Sequence, residues 1–185
     1  ADSRAPQPVA DVLMRRLYLL RHAKSSWADT DQPDRDRPLA PRGRRAAQRL
    51  ASHLDEQGIR PEVVLCSPAV RTVQTLELVR PGLGDDVQVL VEDELYGAGA
   101  RQLLARLRCL SEEVRSAMVV GHNPGIQELT VLLARESALR DRAADHFPTA
   151  ALASLAIRRG DWTALDRAGA DLVAYSAPRE VRGDP

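Results

Sequence analysis

Arg16-Leu17-Tyr18-Leu19-Leu20-Arg21-His22 is a short apolar run that stops on a guanidinium and an imidazole. The run over 16–20 reads as a strand, and Arg21 and His22 stand at its carboxyl end. A polar stretch rich in Pro and Asp follows over 29–41 and reads as a loop. Ala46, Ala47, Leu50 and Leu54 then recur at helical spacing, predicting a helix over 42–57 that Gly58 stops. Glu62-Val63-Val64-Leu65-Cys66, bounded by Pro61 and Pro68, reads as a buried strand. Pro68 is suited to opening a helix that runs to Val79. Val87 to Val91 reads as a third strand, and Leu103, Leu104, Leu107 and Leu110 mark the next helix. Ala117 to Val120 is a fourth strand. Pro124 opens a helix carrying Ile126, Leu129, Val131, Leu132 and Leu133. The charged segment 135–145 reads as a mobile excursion. Residues 151–157, 161–165 and 171–175 read as short strands joined by turns at Gly160 and Gly169.

Strands alternating with helices predict an α/β fold, a three-layer sandwich around a largely parallel central sheet, with the last strands adding an antiparallel edge. In such sheets ligands bind beyond the carboxyl ends of the strands. That rule singles out Arg21 and His22 after the first strand, and Ser67 and Arg71 after the second. It also selects Glu92, Asp93 and Glu94 after the third, and His122 and Asn123 after the fourth. Two histidines, two arginines and a carboxylate are thereby expected on one rim.

That set suits a phosphate dianion. Arginine offers a planar fork matching phosphate oxygens, and phosphoryl transfer needs positioning and charge neutralisation above all. Neighbouring guanidinium groups disfavour an imidazolium, which keeps His22 neutral and able to attack phosphorus. In Gly121-His122-Asn123-Pro124-Gly125, Asn123 is suited to an N-cap and Pro124 to the first helical position, so the helix start would present free N–H groups to an anion. Glu94 is the expected proton donor to the leaving group, with Glu92 and Asp93 as alternatives. Taken alone, Glu94 reads equally as part of a solvated acidic run. Lys24, alone among 26 basic residues in being a lysine, and Ser25 are further candidates for substrate contact.

Arg21-His22-Ala23-Lys24-Ser25-Ser26-Trp27 resembles the signature of the histidine phosphatase superfamily in its SixA-like version. Four further stretches follow in order. They are Leu65-Cys66-Ser67-Pro68-Ala69-Val70-Arg71-Thr72 with Gln74-Thr75, then Asp93-Glu94-Leu95-Tyr96, then Val119 to Gly125, and last Phe147-Pro148-Thr149-Ala150-Ala151-Leu152. The resemblance spans 14–178. It implies a phosphoglycerate-mutase-like fold and a phosphohistidine intermediate on His22. It further implies a phosphate pocket of Arg21, Arg71 and His122, and Glu94 in the place of the proton donor of mutase-like relatives. Lys24 stands where those relatives carry Glu, so mutase activity is not expected.

The totals bound the rest. With 185 residues, 44% hydrophobic and 28% charged, the chain is long enough for one domain with a core. Formal charge is zero, which gives no field favouring nucleic acid or an anionic membrane. Cys66 and Cys109 lack CxxC partners, and the four histidines lack HxH or HExxH spacing, so no metal or cofactor is expected. No run of about 18 apolar residues occurs, and 1–11 lacks a signal-peptide core, so a cytoplasmic monomer is the default. One histidine phosphatase domain over 14–178 is expected, with 1–13 an extension or disordered lead and 179–185 a tail. The expected partners are a phosphorylated protein or small phosphorylated substrate, with inorganic phosphate as product. A nucleotide substrate, a non-catalytic phospho-ligand module and a metal hydrolase are the competing readings. Few aromatics (3%) weigh against the first of these.

Overall fold

A computed structural model describes residues 14–158 and 160–178; the expected extension over 1–13 and the tail over 179–185 lie outside them. The sheet has six strands: β1 (Arg15–Arg21), β2 (Val63–Cys66), β3 (Gln88–Val91), β4 (Ser116–Gly121), β5 (Leu152–Ile157) and β6 (Ala170–Ser176). Their order is β3-β2-β4-β1-β5-β6. The pairs from β3 to β1 are parallel, while β5 runs antiparallel to β1, and β6 to β5.

Buried parallel strands need apolar side chains on both faces, and the sequence of β1 supplies them. Leu17 and Leu19 join a core with Val119, Leu107, Ile126 and Leu129. Leu20 points the other way, into a core with Val64, Leu50, Leu54 and Val79. The helices divide accordingly. α1 (Pro41–Glu56) and α2 (Val70–Val79) bury leucines on one face. α3 (Ala100–Arg108) and α4 (Gly125–Leu133) cover the other. The α/β sandwich is therefore the observed architecture. No helix among the described residues is long and apolar enough to cross a membrane.

Two segments differ from the sequence reading. Residues 161–165 form turns rather than a strand. Trp162, fully buried, is tied there by donating its indole N–H to the Val114 carbonyl at 2.8 Å. The charged segment 135–145 holds a helix, α5 (Ala138–Asp145), capped by Ser137 accepting from the Arg140 amide. Gln127 of α4 donates to the Ala143 and Ala144 carbonyls at 3.0 and 2.9 Å, fastening the end of α5 to α4. With Arg140 Nε donating to the Val131 carbonyl of α4 at 3.1 Å and Ala143 in the core, these bonds hold a helix whose apolar periodicity is too weak to announce it.

Helix starts also shift. α2 begins at Val70 with Ala69 as N-cap, two residues after Pro68. Pro124, not Asn123, occupies the N-cap of α4, after a cis Asn123–Pro124 peptide.

Candidate active site

β1 and β4 are paired in parallel, with Arg21 opposite Gly121, so the residues that follow them emerge side by side. The His22 amide donates to the Gly121 carbonyl at 3.0 Å. The His22 and His122 rings lie 5.2 Å apart, tilted by 58°. Both residues are 8% exposed, and Arg71 is 7% exposed. Arg71 comes from the first turn of α2 and places Nη2 3.4 Å from His122 Nδ1.

The tautomer of His22 follows from its partner. Nδ1 lies 2.7 Å from the Ala23 carbonyl oxygen, which can only accept, so Nδ1 carries the proton. Nε2 then holds the lone pair. Burial pushes the ring's pKa down to about 3. His122, Arg71 and Arg21 push it the same way, against the Ala23 hydrogen bond. His122 is lowered to about 4 by burial, then by Arg71 and Arg21, against Asp34. Both imidazoles are neutral at ordinary pH. The Arg71 N–H directed at His122 Nδ1 makes that atom an acceptor, so His122 Nε2–H donates to Ser67 Oγ at 2.7 Å.

The stretch after β2 is spent almost entirely on this arrangement. Ser67 meets His122. Thr72 Oγ1 donates to the Ser67 and Ala69 carbonyls at 2.8 and 2.6 Å, fixing the start of α2. Gln74 Oε1 accepts from the Leu39 amide at 2.8 Å. Thr75 Oγ1 accepts from the Ala23 amide at 3.0 Å and holds the backbone beside His22. Phe147 contributes its carbonyl, which accepts from Arg21 Nη1 at 2.7 Å and Asn123 Nδ2 at 3.1 Å. Ala150, with φ of 63°, turns its amide onto the Arg21 and His22 carbonyls at 3.1 and 3.0 Å. Arg21 Nε is buried without a hydrogen-bond partner among the described residues.

Arg21, His22, Arg71 and His122 therefore converge. The other sequence candidates divide. Ser25 is buried, and its Oγ accepts from Arg37 Nη2 at 2.8 Å. The Lys24 carbonyl accepts from the Ala40 amide at 2.8 Å, joining the loop to the start of α1. Asn123 does not cap α4; its Nδ2 bridges Phe147 and Gln127. Glu94 is exposed and lines a groove with Glu92, Leu95, Gln102, Ala105 and Arg106, none of which belongs to the imidazole cluster.

The carboxylate that does touch the cluster is Asp34, from a 3-10 turn over 34–36. Its Oδ2 lies 2.9 Å from Arg71 Nη2, and its backbone carbonyl accepts from Arg71 Nη1. The Tyr96 hydroxyl donates to Oδ2 at 2.8 Å, and the Tyr96 ring stands edge-on to His122 at 5.7 Å. Arg37, stacked 3.2 Å over the exposed Trp27 ring, donates to Asp34 Oδ1 at 2.9 Å. A loop reading of 29–41 gives no signal for Asp34, because Arg71 and Tyr96, which tie it to the cluster, lie 37 and 62 residues away. Chemically, the cluster offers the unprotonated Nε2 of His22 beside the guanidinium groups of Arg21 and Arg71 and the neutral ring of His122.

Residues 17–99 match the histidine phosphatase superfamily (branch 1). An uncharacterized protein of Mycobacterium tuberculosis is 34% identical over 164 residues, covering 86% of this chain and 100% of that one. Among solved structures, a candidate phosphohistidine phosphatase SixA of Nakamurella multipartitia shares 35% identity with a TM-score of 0.79, over 89% of this chain and 96% of that one. The protein histidine phosphatase SixA complexed with tungstate shares 26% identity with a TM-score of 0.73, over 90% and 99% of the two chains.

Proposed function

This chain belongs to the histidine phosphatase superfamily, in its SixA-like group, and from that membership and the geometry of the cluster we propose that it hydrolyses a phosphorylated substrate through phospho-His22. The observation that carries the proposal is the His22 ring itself. It is buried and neutral, its Nδ1–H is held by the Ala23 carbonyl, and Nε2 is left with its lone pair. Attack by Nε2 forms a P–N bond while the substrate's bond to phosphorus breaks and its electron pair leaves with the departing group. Water then attacks phospho-His22, releases inorganic phosphate and restores the neutral ring. Arg21, Arg71 and His122 hold the phosphoryl oxygens. His122 turns Nδ1 into a donor by exchanging tautomers, with Ser67 then donating to Nε2.

The substrate is protein phosphohistidine or a small phosphomonoester. Support comes from the SixA-like relatives and from the tungstate, an oxyanion, held by one of them. An imidazole departs with little acid assistance, which suits a cluster that Glu94 does not join. The single domain works without a metal, so full activity in EDTA is expected and its abolition would reverse this reading. The decisive experiment traps the intermediate: incubation with a labelled phosphodonor, quenching and peptide mapping. Acid-labile label on His22 is expected. Label elsewhere, or none during turnover, overturns the proposal.

A further inference from the structure

Asp34 places a negative charge at the opening of a pocket suited to a dianion. Its side chain is 54% exposed, whereas His22, Arg71 and His122 are 7–8% exposed. Three groups fix the carboxylate there: Arg71, Arg37 and the Tyr96 hydroxyl. A site selected for phosphate affinity alone gains nothing from such a neighbour, since like charges repel.

The direction of the reaction gives the carboxylate a use. In-line displacement sends the leaving group away from the attacking nitrogen. His22 lies at the buried end of the pocket, held to Ala23, whose amide is bound in turn by Thr75. The departing group therefore faces outward, where Asp34 and Tyr96 stand. We propose that the Asp34 carboxylate determines specificity, favouring donors that are protonated N-phosphoimidazoles, which leave as neutral imidazole, over donors whose leaving group carries a carboxylate. The inference rests on the reading of His22 as the phosphoryl acceptor.

The step balances as follows. The donor ring carries phosphorus on one nitrogen and a proton on the other. His22 Nε2 bonds to phosphorus, the donor's P–N bond breaks, and its electron pair returns to the donor nitrogen. The donor leaves as neutral imidazole, still holding its N–H, while His22, with Nδ1–H and Nε2–P, becomes the cation. A carboxylate beside the donor ring favours the protonated form that leaves readily. The same charge repels a carboxylate-bearing alkyl phosphate.

The test compares kcat/KM for N-phosphoimidazole and for 3-phosphoglycerate at about pH 8, where a free imidazole is mostly neutral. Wild type, Asp34→Asn, Asp34→Ser and Tyr96→Phe are measured on both. The ratio of the two values should fall about tenfold in each Asp34 variant, the size expected of one half-exposed charge. Tyr96→Phe, which keeps the carboxylate, should hold the ratio within about twofold. Were Asp34 needed only to orient Arg71, both substrates would lose rate by one factor and the ratio would stay; that result overturns the proposal. So does an equal fall of the ratio in Tyr96→Phe. Label on His22 with an unmoved ratio sinks this inference alone, whereas loss of the label from His22 sinks the proposed reaction beneath it.

Discussion

Ser67 is fully buried and spends its hydroxyl on His122 Nε2, so its worth can be measured apart from the groups that touch phosphate. Ser67→Ala leaves an imidazole nitrogen buried without that partner, a cost of about 1–2 kcal/mol. If the His122 tautomer matters in the transition state, kcat/KM for any phosphoryl donor should drop roughly tenfold, and the 15N shift of His122 Nε2 should move. A variant that changes neither reduces Ser67 to packing. Glu94→Gln supplies the complementary case. From its position beside Arg106 and Gln102, turnover of phosphohistidine should stay within about twofold of wild type. A large loss on phosphohistidine would restore Glu94 to the chemistry. Cys66, next to Ser67, is a bystander. Burial raises its thiol to about 12, so it stays protonated beside the site.

Between elements, the tightest constraint is the approach of α1 to the loop that carries the phosphoryl acceptor. A Cβ on Gly43 would lie 2.2 Å from the Lys24 carbonyl oxygen. Gly43→Ala must therefore separate α1 from 22–25, costing about 1–3 kcal/mol, and kcat should fall along with Tm. Unchanged values of both would show that the loop yields freely. The elements differed in how openly the sequence declared them. The spacing of Ala46, Ala47, Leu50 and Leu54 predicts α1 over 42–57, and the helix spans Pro41–Glu56, burying Gly43, Ala47, Leu50 and Leu54. Each strand with two buried faces was legible as a short apolar run. Segment 135–145 is not, since α5 buries only Ala143 and is held by polar side chains, Ser137, Gln127 and Arg140. Residues 161–165 carry a strand's composition, yet Trp162 is claimed by the far-off Val114 carbonyl. The convergence of Arg21, His22, Arg71 and His122 is legible from their places after the carboxyl ends of three strands. Asp34 is not, because an exposed 3-10 turn carries no periodicity, whereas Tyr96 stands in the stretch Asp93-Glu94-Leu95-Tyr96 that carries the family resemblance.

For the molecule as a whole, the two histidines couple function to acid stability. An unfolded imidazole titrates near 6.5, whereas folded His22 titrates near 3. The unfolded chain thus takes up a proton that the folded one refuses, so stability is full above 6.5 and declines as pH falls toward 3. By about pH 5 His22 alone should remove about 2 kcal/mol. His122 titrates in the same direction. In urea unfolding, His22→Asn should therefore lose less stability than wild type between about pH 7.5 and pH 5, by that amount. Equal slopes would mean that the ring is not buried neutral. A last consequence follows from the place of β1 in the sheet. It is laddered to β4 on one side and β5 on the other, so exchange of the Leu19 and Leu20 amides with heavy water must await opening of the whole protein. The 3-10 turn over 34–36 lies outside this ladder and buries none of its own residues, so its amides should exchange by local opening.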